Sequence, residues 1–600
     1  MAALQYRPAI DGLRALAVLS VLLFHLNHSW LPGGFTGVDV FFVISGYLIT
    51  SIILNDCQAH RFSLTKFYQR RIARIFPAFF TVALATLVGA RFIYTPQDYA
   101  SAGANLTAAS LSIANLKYMI QGSYFQISPD AQPFLHYWSL SVEEQFYLFF
   151  PLFFLLLFKY ARNHLVWVLG ILGAGSLIAC ILLTPAKPVW AFYLLPTRAW
   201  ELCAGSLLAV VATHHPATTS GAARRSWIPL IGLLLVALSF LLLHEGPQFP
   251  GWRAVLPVAG AVALILPSAA SSSPVEKWLA APPLVMIGRM SYSLYLWHWP
   301  IFSLVDYRLF LASEPVRLTL KIGLSFLAAG LSFLLIENPA RRFLNQPKSR
   351  PIAFAALTAA LALCVPLGIS IRRANYVNAE LSDVAKGGLV FPGKPGAPSV
   401  VLMGDSNGSM YGKVMKEICA DLGYKLTVVS VAAADALPSS TGKHNQLWLD
   451  SLAVVQHEKP DCVVLACLWN EVLKSDRNRL SLAIESLGPH VSKIIILDQP
   501  PVLPATANRA SIRNGARPPF VEDPSTQQMR QSTNAFLLNL TSEKVGVVDI
   551  ARPFQLPDGD ARFFDDHDRQ LYHDSTHLSG YGTDLIRPVI QAALSPPLFH

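Results

Sequence analysis

Two sets of side chains in this sequence have the types and spacing to do chemistry. The first is GDSNGSMYG, which offers Ser406, together with HDSTHLSGYG near the C-terminus, which offers Asp574 and His577 three residues apart. A serine hydroxyl becomes a nucleophile when an imidazole takes its proton, and the imidazole needs a carboxylate to hold its tautomer. Ser406, His577 and Asp574 fit those three roles. A lone GDS is an ordinary turn; followed far downstream by DxxH, it becomes a specific signal. The second set is scattered through strongly apolar sequence: Arg14, His25, Asp39, Arg71, Arg74, His136, Trp138, Ser139, Glu143, Glu144, Arg198, Glu201 and His298. Ionisable groups are costly in lipid unless paired or lining a cavity, so their presence there points to function.

The elements that must position the first set begin at Ser399. Ser399–Met403, Lys425–Val431, Asp461–Leu468, Lys493–Leu497 and Gly546–Ile550 are short runs rich in Val and Ile. Helical stretches at Tyr411–Leu422, Leu447–His457, Arg479–Leu487 and Thr526–Glu543 separate them. That alternation predicts an α/β domain with an open, mostly parallel sheet. The first strand runs directly into GDS and a helix, which puts Ser406 at a strand–turn–helix junction on the carboxyl edge of the sheet.

The second set sits in a different kind of chain. Of 600 residues, 53% are apolar and 14% charged, and the apolar weight lies before Ile371. Eleven runs approach the ~20 residues that cross a bilayer: Leu13–Trp30, Phe35–Leu54, Ile72–Tyr94, Trp138–Phe158, Leu165–Leu183, Pro196–Thr213, Trp227–His244, Val255–Ser271, Met286–Val305, Leu318–Ile336 and Pro351–Ile371. Tyr99–Ile120, rich in Ala, Ser and Asn, reads as an interfacial or re-entrant helix. The first run ends in His25, Asn27 and His28 without a small-residue cleavage site and is expected to remain as a span. Pro351–Ile371, Arg372, Arg373 and FPGKPGAP read as a last span and a linker.

The net charge of +10 is not a nucleic-acid footprint, because the basic residues lie between apolar runs instead of forming one patch. With the N-terminus cytoplasmic, inner loops would hold Arg61, Lys66, Arg70, Arg71, Arg74, Lys159, Arg162, Arg224, Arg225, Arg341, Arg342, Lys348 and Arg350. Outer loops would keep Lys117, Lys187, Arg253 and Arg308, and the C-terminal domain would lie outside the cytoplasm. Seven cysteines without a CxxC pair suggest neither a zinc site nor a disulfide framework, and no metal is expected.

Arg14 and His25 are about 16 Å apart along a helix, roughly half the bilayer core. His25, Asp39, His136 and Glu143 are expected on one outer side, where they would form a polar cavity. Bland readings stand beside this one. Arg198 and Glu201, one turn apart, suit a structural ion pair, and His298 between Trp297 and Trp299 suits an aromatic belt.

Arg14-x10-His25, GGFTGVDVFFVISGYL, Arg71-xx-Arg74 and HYWSLSVEEQFYL, in that order, resemble the acyltransferase-3 family of membrane O-acyltransferases across roughly Tyr6–Arg342. The resemblance implies a cytoplasmic acyl-CoA donor, normally acetyl-CoA, and transfer to an acceptor sugar on the outer side. It makes Arg14, Arg71 and Arg74 candidates for donor binding and His25 the candidate general base or transient acyl carrier. Physically, Arg71 and Arg74 would clamp phosphates, while Glu143 or Asp39 would orient the imidazole.

From about Ala397 to the end the chain resembles the SGNH hydrolases and acyltransferases, which implies Ser406 as nucleophile, His577 as base and Asp574 as its orienter. Two blocks depart from that family. The glycine after the second strand is missing from VSVAAADALPSS, and GxND is replaced by ACLWN, leaving Asn470 as a substitute oxyanion donor. The expected division is 1–345, 346–396 as a further helix and linker, and 397–600. The expected function is acyl transfer to a surface glycan such as O-antigen, lipopolysaccharide or exopolysaccharide, at a bacterial inner membrane with the C-terminal domain periplasmic. The alternatives are a peptidoglycan O-acetyltransferase, or a lipid-linked-sugar transporter with an esterase or sugar-binding domain. Expected partners are acyl-CoA, the polysaccharide or lipid-linked glycan, and membrane lipid, with no nucleic acid.

Overall fold

A computed structural model describes residues 6–94, 96–121, 132–214, 227–266, 273–309, 312–375, 383–431, 435–440, 445–503, 522–556, 561–567, 569, 571–572 and 576–595. The chain divides into two compact units, Met1–Asn375 and Tyr376–His600.

The first unit is helical: α1 Pro8–Leu26, α2 Gly37–Gln58, α3 Leu64–Ile93, α4 Pro96–Ser110, α5 Ala114–Gln121, α6 Tyr137–Tyr160, α7 Leu165–Ala186, α8 Pro188–Tyr193 and α9 Leu195–His214. It continues with α10 Ile228–Leu242, α11 Val255–Ile265, α12 Pro274–Leu279, α13 Pro282–Arg289, α14 Ser291–Arg308, α15 Glu314–Ser332, α16 Asn338–Leu344 and α17 Arg350–Asn375. Among the described residues eight helical segments are long and apolar enough to cross a membrane, and Ile228–Leu242 and Gly251–Ile265 are shorter apolar helices. With α14, these coincide with the eleven expected runs. Many leucines, isoleucines and phenylalanines on the outer faces are exposed, as lipid-facing helices require, including Phe149, Ile171 and Leu335.

Small residues decide the closest crossings in this unit. A Cβ on Gly46 of α2 would lie 1.9 Å from the Leu202 carbonyl oxygen, and one on Gly205 of α9 would lie 2.0 Å from that of Val43. Only glycine lets these two backbones touch, and their contact brings Asp39 of α2 to Arg198 and Glu201 of α9. The Ala- and Ser-rich stretch after α3 forms two helices, α4 and α5, broken at Ser112, where φ is +55°. It packs inside the bundle with Asn105 and Asn115 fully buried.

The second unit carries β1 Asp383–Phe391, β2 Ser399–Gly404, α18 Ser406–Leu422, β3 Lys425–Val431, α19 Gln446–Glu458, β4 Cys462–Ala466, α20 Trp469–Val472 and α21 Asn478–Leu487. After these come β5 Lys493–Leu497, α22 Pro524–Leu538, β6 Val545–Val548 and α23 Gly580–Leu594. The sheet order is β1-β3-β2-β4-β5-β6, parallel from β3 to β6, with β1 antiparallel on the edge. β1 lies in the stretch expected to be linker, so the sheet starts earlier than the Val/Ile runs suggest. Along β2, Val400 and Leu402 enter one core with Met410, Ile418 and Ile586, while Val401 and Met403 enter the other with Trp448 and Leu480. A sheet buried on both faces needs apolar residues at every position, hence VVLM. β3 and β4 flank β2 on opposite sides, which opens a crevice at the carboxyl end of β2.

Candidate functional site

Ser406 stands in that crevice as the first residue of α18. A Cβ on Gly404 would lie 1.9 Å from the Ala466 carbonyl oxygen, so glycine is required where β2 passes β4. The Asp405 carboxylate fixes the turn, accepting from the Asn407 amide at 2.8 Å and the Leu468 amide at 2.9 Å. Burial pushes the Asp405 carboxyl above its usual range, and the two amide bonds oppose that shift. Ser406 Oγ is 2.9 Å from His577 Nε2, across the 171 residues that separate the two motifs. His577 Nδ1 is 3.1 Å from Thr576 Oγ1. Asp574 lies outside the described residues, as does the Ala432–Ala434 stretch where the family's glycine was sought. Asn470 sits in α20, two residues beyond the amide that Asp405 holds, with its own amide donating to Gln499 Oε1 at 2.9 Å. As the first residue of α18, Ser406 also presents a backbone amide at a helix N-terminus, where charge building on an acyl oxygen is stabilised.

Behind this crevice lies a polar group that sequence reasoning missed. Asp498, one residue past β5, accepts from the Ile550 and Ala551 amides at 2.8 and 2.9 Å. Burial and the neighbouring Asp549 carboxylate push its carboxyl up to about 7. Asn534 bonds Asp498 and both backbone groups of Gln499, tying α22 to the end of β5. The signal was the Asp-Gln pair following KIIIL, a polar step where a buried strand stops.

The first unit holds three cavities that share walls. An arginine vestibule of about 1650 Å³ includes Arg7, Arg14, Arg74, Arg289 and Arg341. A central cavity of about 860 Å³ shares Arg14, Leu48 and Arg74 with it, and adds Arg71, Glu143, Glu144 and Tyr147. A histidine pocket of about 350 Å³ shares Val38 and Tyr295 with the central cavity and contains His25, Asp39, Trp138 and Arg198. Arg14 thus lines the first two of these adjacent cavities and His25 the third, about 16 Å apart along α1.

At the histidine end the geometry specifies protons. His298 Nδ1 is 2.6 Å from the Tyr295 carbonyl oxygen, which can only accept, so in neutral His298 that nitrogen carries the hydrogen. His298 Nε2 then presents a lone pair to His25 Nδ1 at 3.2 Å, and His25 must donate. This arrangement leaves Nε2 as the basic nitrogen of His25. Trp299 closes over His25 edge-on, with ring centres 4.5 Å apart. His136 packs its ring against His298 and Tyr295, and Ser139 Oγ meets the Tyr295 hydroxyl at 2.6 Å. Trp138 packs on Phe192 in the wall of the pocket. His298 is therefore a buried partner of His25 and not a residue of an exposed aromatic belt.

Asp39 and Glu201 both approach the Arg198 guanidinium, at 2.9 and 3.1 Å, with all three side chains at most 1% exposed. The phenyl rings of Phe42, Phe192 and Phe249 surround the guanidinium at 5.6–5.8 Å. The expected Arg198–Glu201 pair is present, with Asp39 as an unforeseen third member.

Glu143 is displaced from its expected place. It lies seven residues into α6 after His136, about 10 Å further along the axis, and lines the cavity of Arg14, Arg71 and Arg74. Its carboxylate accepts from Ser45 and Tyr147 and does not orient His25. Arg71 lies over the Phe67 and Tyr147 rings at 5.8 and 6.0 Å. Glu144 accepts from Ser112 at the break between α4 and α5. Ser45, Tyr147 and Tyr295 were not singled out in the sequence, because hydroxyls on apolar helices are usually structural. No cluster of His, Cys, Asp and Glu suited to a metal occurs among the described residues.

Residues 7–371 match the profile of an acyltransferase domain, and residues 377–592 match an SGNH domain of the kind fused to such acyltransferases. Peptidoglycan O-acetyltransferase OatA of Listeria monocytogenes is 31% identical over 406 residues, which is 63% of this chain and 65% of that protein. O-acetyltransferase OatA of Staphylococcus aureus is 31% identical over 380 residues, 60% of this chain and 62% of that protein. The chain therefore spans less than two thirds of the length of these relatives. The solved periplasmic domain of a Salmonella Paratyphi A lipopolysaccharide acetyltransferase aligns with 34% of this chain and 85% of that one, at 14% identity and a TM-score of 0.28. With its membrane unit and its sheet domain matched in this order, the chain belongs to the acyltransferase-3 family and carries the fused SGNH domain.

Proposed function

We propose that the chain is an O-acyltransferase that takes an acyl group, acetyl in the simplest case, from acyl-CoA on the cytoplasmic side. It delivers that group to a hydroxyl of a surface glycan on the other side. The observation that carries this reading is the shared walls of the three cavities, which join Arg14, Arg71 and Arg74 to His25. Donor phosphates are held at the arginine end, and the thioester lies along the central cavity. His25 Nε2 takes the proton of the accepting group as its oxygen attacks the carbonyl carbon, and the CoA thiolate leaves with a proton. Arg71, Glu143 and Tyr147 border the path, with the guanidinium suited to the developing oxyanion.

In the SGNH domain Ser406 Oγ attacks an acyl carbonyl as His577 Nε2 takes its proton, and the group that leaves receives that proton. A glycan hydroxyl then attacks the Ser406 ester, its proton passing to His577 and back to the serine oxygen. Acceptor chemistry follows the relatives' names, which include a peptidoglycan O-acetyltransferase, so a peptidoglycan or polysaccharide hydroxyl is the acceptor class. The setting is a bacterial inner membrane, N-terminus in the cytoplasm, with the SGNH domain in the periplasm.

The test is glycan O-acetylation in cells carrying the wild-type chain, His25→Ala or Ser406→Ala, read by NMR of purified peptidoglycan and polysaccharide. Loss of the same acetyl signal in both variants supports the two-step reading. Full acetylation with His25→Ala refutes the membrane step, and full acetylation with Ser406→Ala reduces the SGNH domain to a binding module.

A further inference from the structure

We propose that Arg74, Arg289 and Arg341 form a polyphosphate subsite in the arginine vestibule, built for a carrier bearing several phosphates. The inference rests on the acyl-CoA reading above and adds the residues that grip the nucleotide end of that donor.

Five guanidiniums line the vestibule against two carboxylates, Asp11 and Glu337. Both carboxylates are engaged. Asp11 accepts from Arg14 at 3.1 Å and from the Tyr6 hydroxyl at 2.7 Å, and Glu337 accepts from Ser293 at 2.8 Å. Arg7 is also engaged, donating to the Ile265 carbonyl at 2.7 Å with Glu276 3.9 Å away. The side chains of Arg74, Arg289 and Arg341 form no ion pair or hydrogen bond with any described residue, and each lines the same space. Three uncommitted guanidiniums at one mouth attract a polyanion, and each can bond phosphate oxygens in a bidentate way.

The packing shows how they come together. A Cβ on Gly288 would lie 1.7 Å from the Asp11 carbonyl oxygen, and one on Gly12 would lie 1.9 Å from that of Leu279. Gly12 lets the end of α12 press onto α1 and Gly288 lets α13 do the same, backbone to backbone, and the residue after Gly288 is Arg289. On the opposite wall, the helix running from α15 into α16 contains a π-helical turn, Phe333–Glu337. Glu337 and Arg341, four residues apart and so on one face of that helix, both line the vestibule, with Glu337 held by Ser293. Arg74 comes from α3 and also lines the central cavity. A ligand held by its phosphates here would have its remaining length directed toward Glu143 and His25.

Anionic lipid headgroups share the phosphate chemistry. A phosphatidylglycerol headgroup carries one phosphate and needs one arginine, whereas three separate guanidiniums suit a ligand with several. CoA, with a diphosphate and a ribose phosphate, is such a ligand.

The experiment measures equilibrium binding of CoA, which carries no acyl group to transfer, and of inorganic tripolyphosphate. The full-length protein is held in phosphatidylcholine nanodiscs, as wild type, Arg289→Gln/Arg341→Gln and Arg289→Lys/Arg341→Lys. Each lost charged hydrogen bond weakens binding about tenfold, so the Gln pair is expected to lose about 100-fold for both probes. The Lys pair, which keeps charge without the fork, should fall between. Unchanged melting of both pairs separates binding from folding, and the Lys pair serves if the Gln pair misfolds. CoA bound equally by wild type and both pairs overturns the subsite and leaves the donor reading standing. Tripolyphosphate binding that depends on the arginines, without CoA binding, supports the subsite and refutes acyl-CoA as donor. No binding of either probe to wild type overturns both. Retention of added phosphatidylglycerol that the Gln pair abolishes, with CoA unaffected, assigns the vestibule to lipid and overturns the proposal.

Discussion

Replacing His298 with leucine removes the acceptor that faces Nδ1 of His25 while leaving a buried apolar side chain of similar bulk. In the native arrangement the Tyr295 carbonyl fixes the His298 proton at 2.6 Å, and His298 fixes the His25 proton at 3.2 Å. Without His298, the buried Nδ1–H of His25 loses its partner, a penalty of about 1–3 kcal/mol, equivalent to roughly 5- to 150-fold in an equilibrium or a rate. The tautomer with its proton on Nε2, which cannot act as a base there, gains population by the same factor. Acetyl transfer in membrane vesicles should therefore show kcat lowered within that range and KM for acetyl-CoA unchanged, because the arginine vestibule is untouched. His298→Gln should recover most of the rate, since a carboxamide oxygen can accept from His25 while its amide donates. Wild-type kcat in His298→Leu, or equal loss in the Leu and Gln variants, would refute the tautomer argument.

Three further outcomes follow from other contacts. Arg198→Gln leaves Asp39 and Glu201 as two buried carboxylates without a cation and should cost about 3–5 kcal/mol, whereas Asp39→Asn leaves one-to-one pairing and should cost less; thermal unfolding in detergent measures both. Gly404→Ala forces a Cβ to 1.9 Å from the Ala466 oxygen and should unfold the SGNH domain or separate β2 from β4, read as loss of its protease resistance within the full chain. Asp498, pushed up to about 7 by burial and Asp549, binds its proton more tightly folded than unfolded. Its stabilisation is complete below about pH 4 and is lost as pH rises through about 7, a change on the order of 4 kcal/mol. Asp498→Asn should flatten the fall in melting temperature of the SGNH transition between those limits, and an unchanged slope would refute the assignment.

Much of this architecture is legible in the sequence where local pattern and burial agree. Runs dominated by Val and Ile announce β2 to β6, because a sheet covered on both faces has little solvent side to alternate with. β1 escapes notice because DVAKGGLVF carries glycines and lies on an edge, where pairing, and not side-chain burial, defines the strand. Ser406 and His577 are legible as a pair because their motifs fix both turns. The His25–His298 bond spans 273 residues, and nothing local announces it. Asp39 joins Arg198 only because Gly46 and Gly205 allow two backbones to touch, a tertiary fact. Glu143 was misplaced for a geometric reason. HYWSLSVEEQ reads as one outer cluster, but two turns of α6 carry Glu143 from the level of His136 into the central cavity. Arg341 looks like a topology charge and Arg289 opens an apolar run unremarked; only their place in the vestibule without a carboxylate partner among the described residues distinguishes them.

The most direct test supplies isotope-labelled acetyl-CoA to the cytoplasmic face of inverted vesicles containing the full chain, with no glycan acceptor added so that any Ser406 ester persists. Peptide mass spectrometry then searches for label on Ser406. Labelled Ser406 that disappears when His25→Ala is added is the expected result. Label on Ser406 that persists without His25, or glycan acetylation that proceeds with Ser406→Ala, would contradict acyl passage from the arginine vestibule through His25 to the SGNH serine.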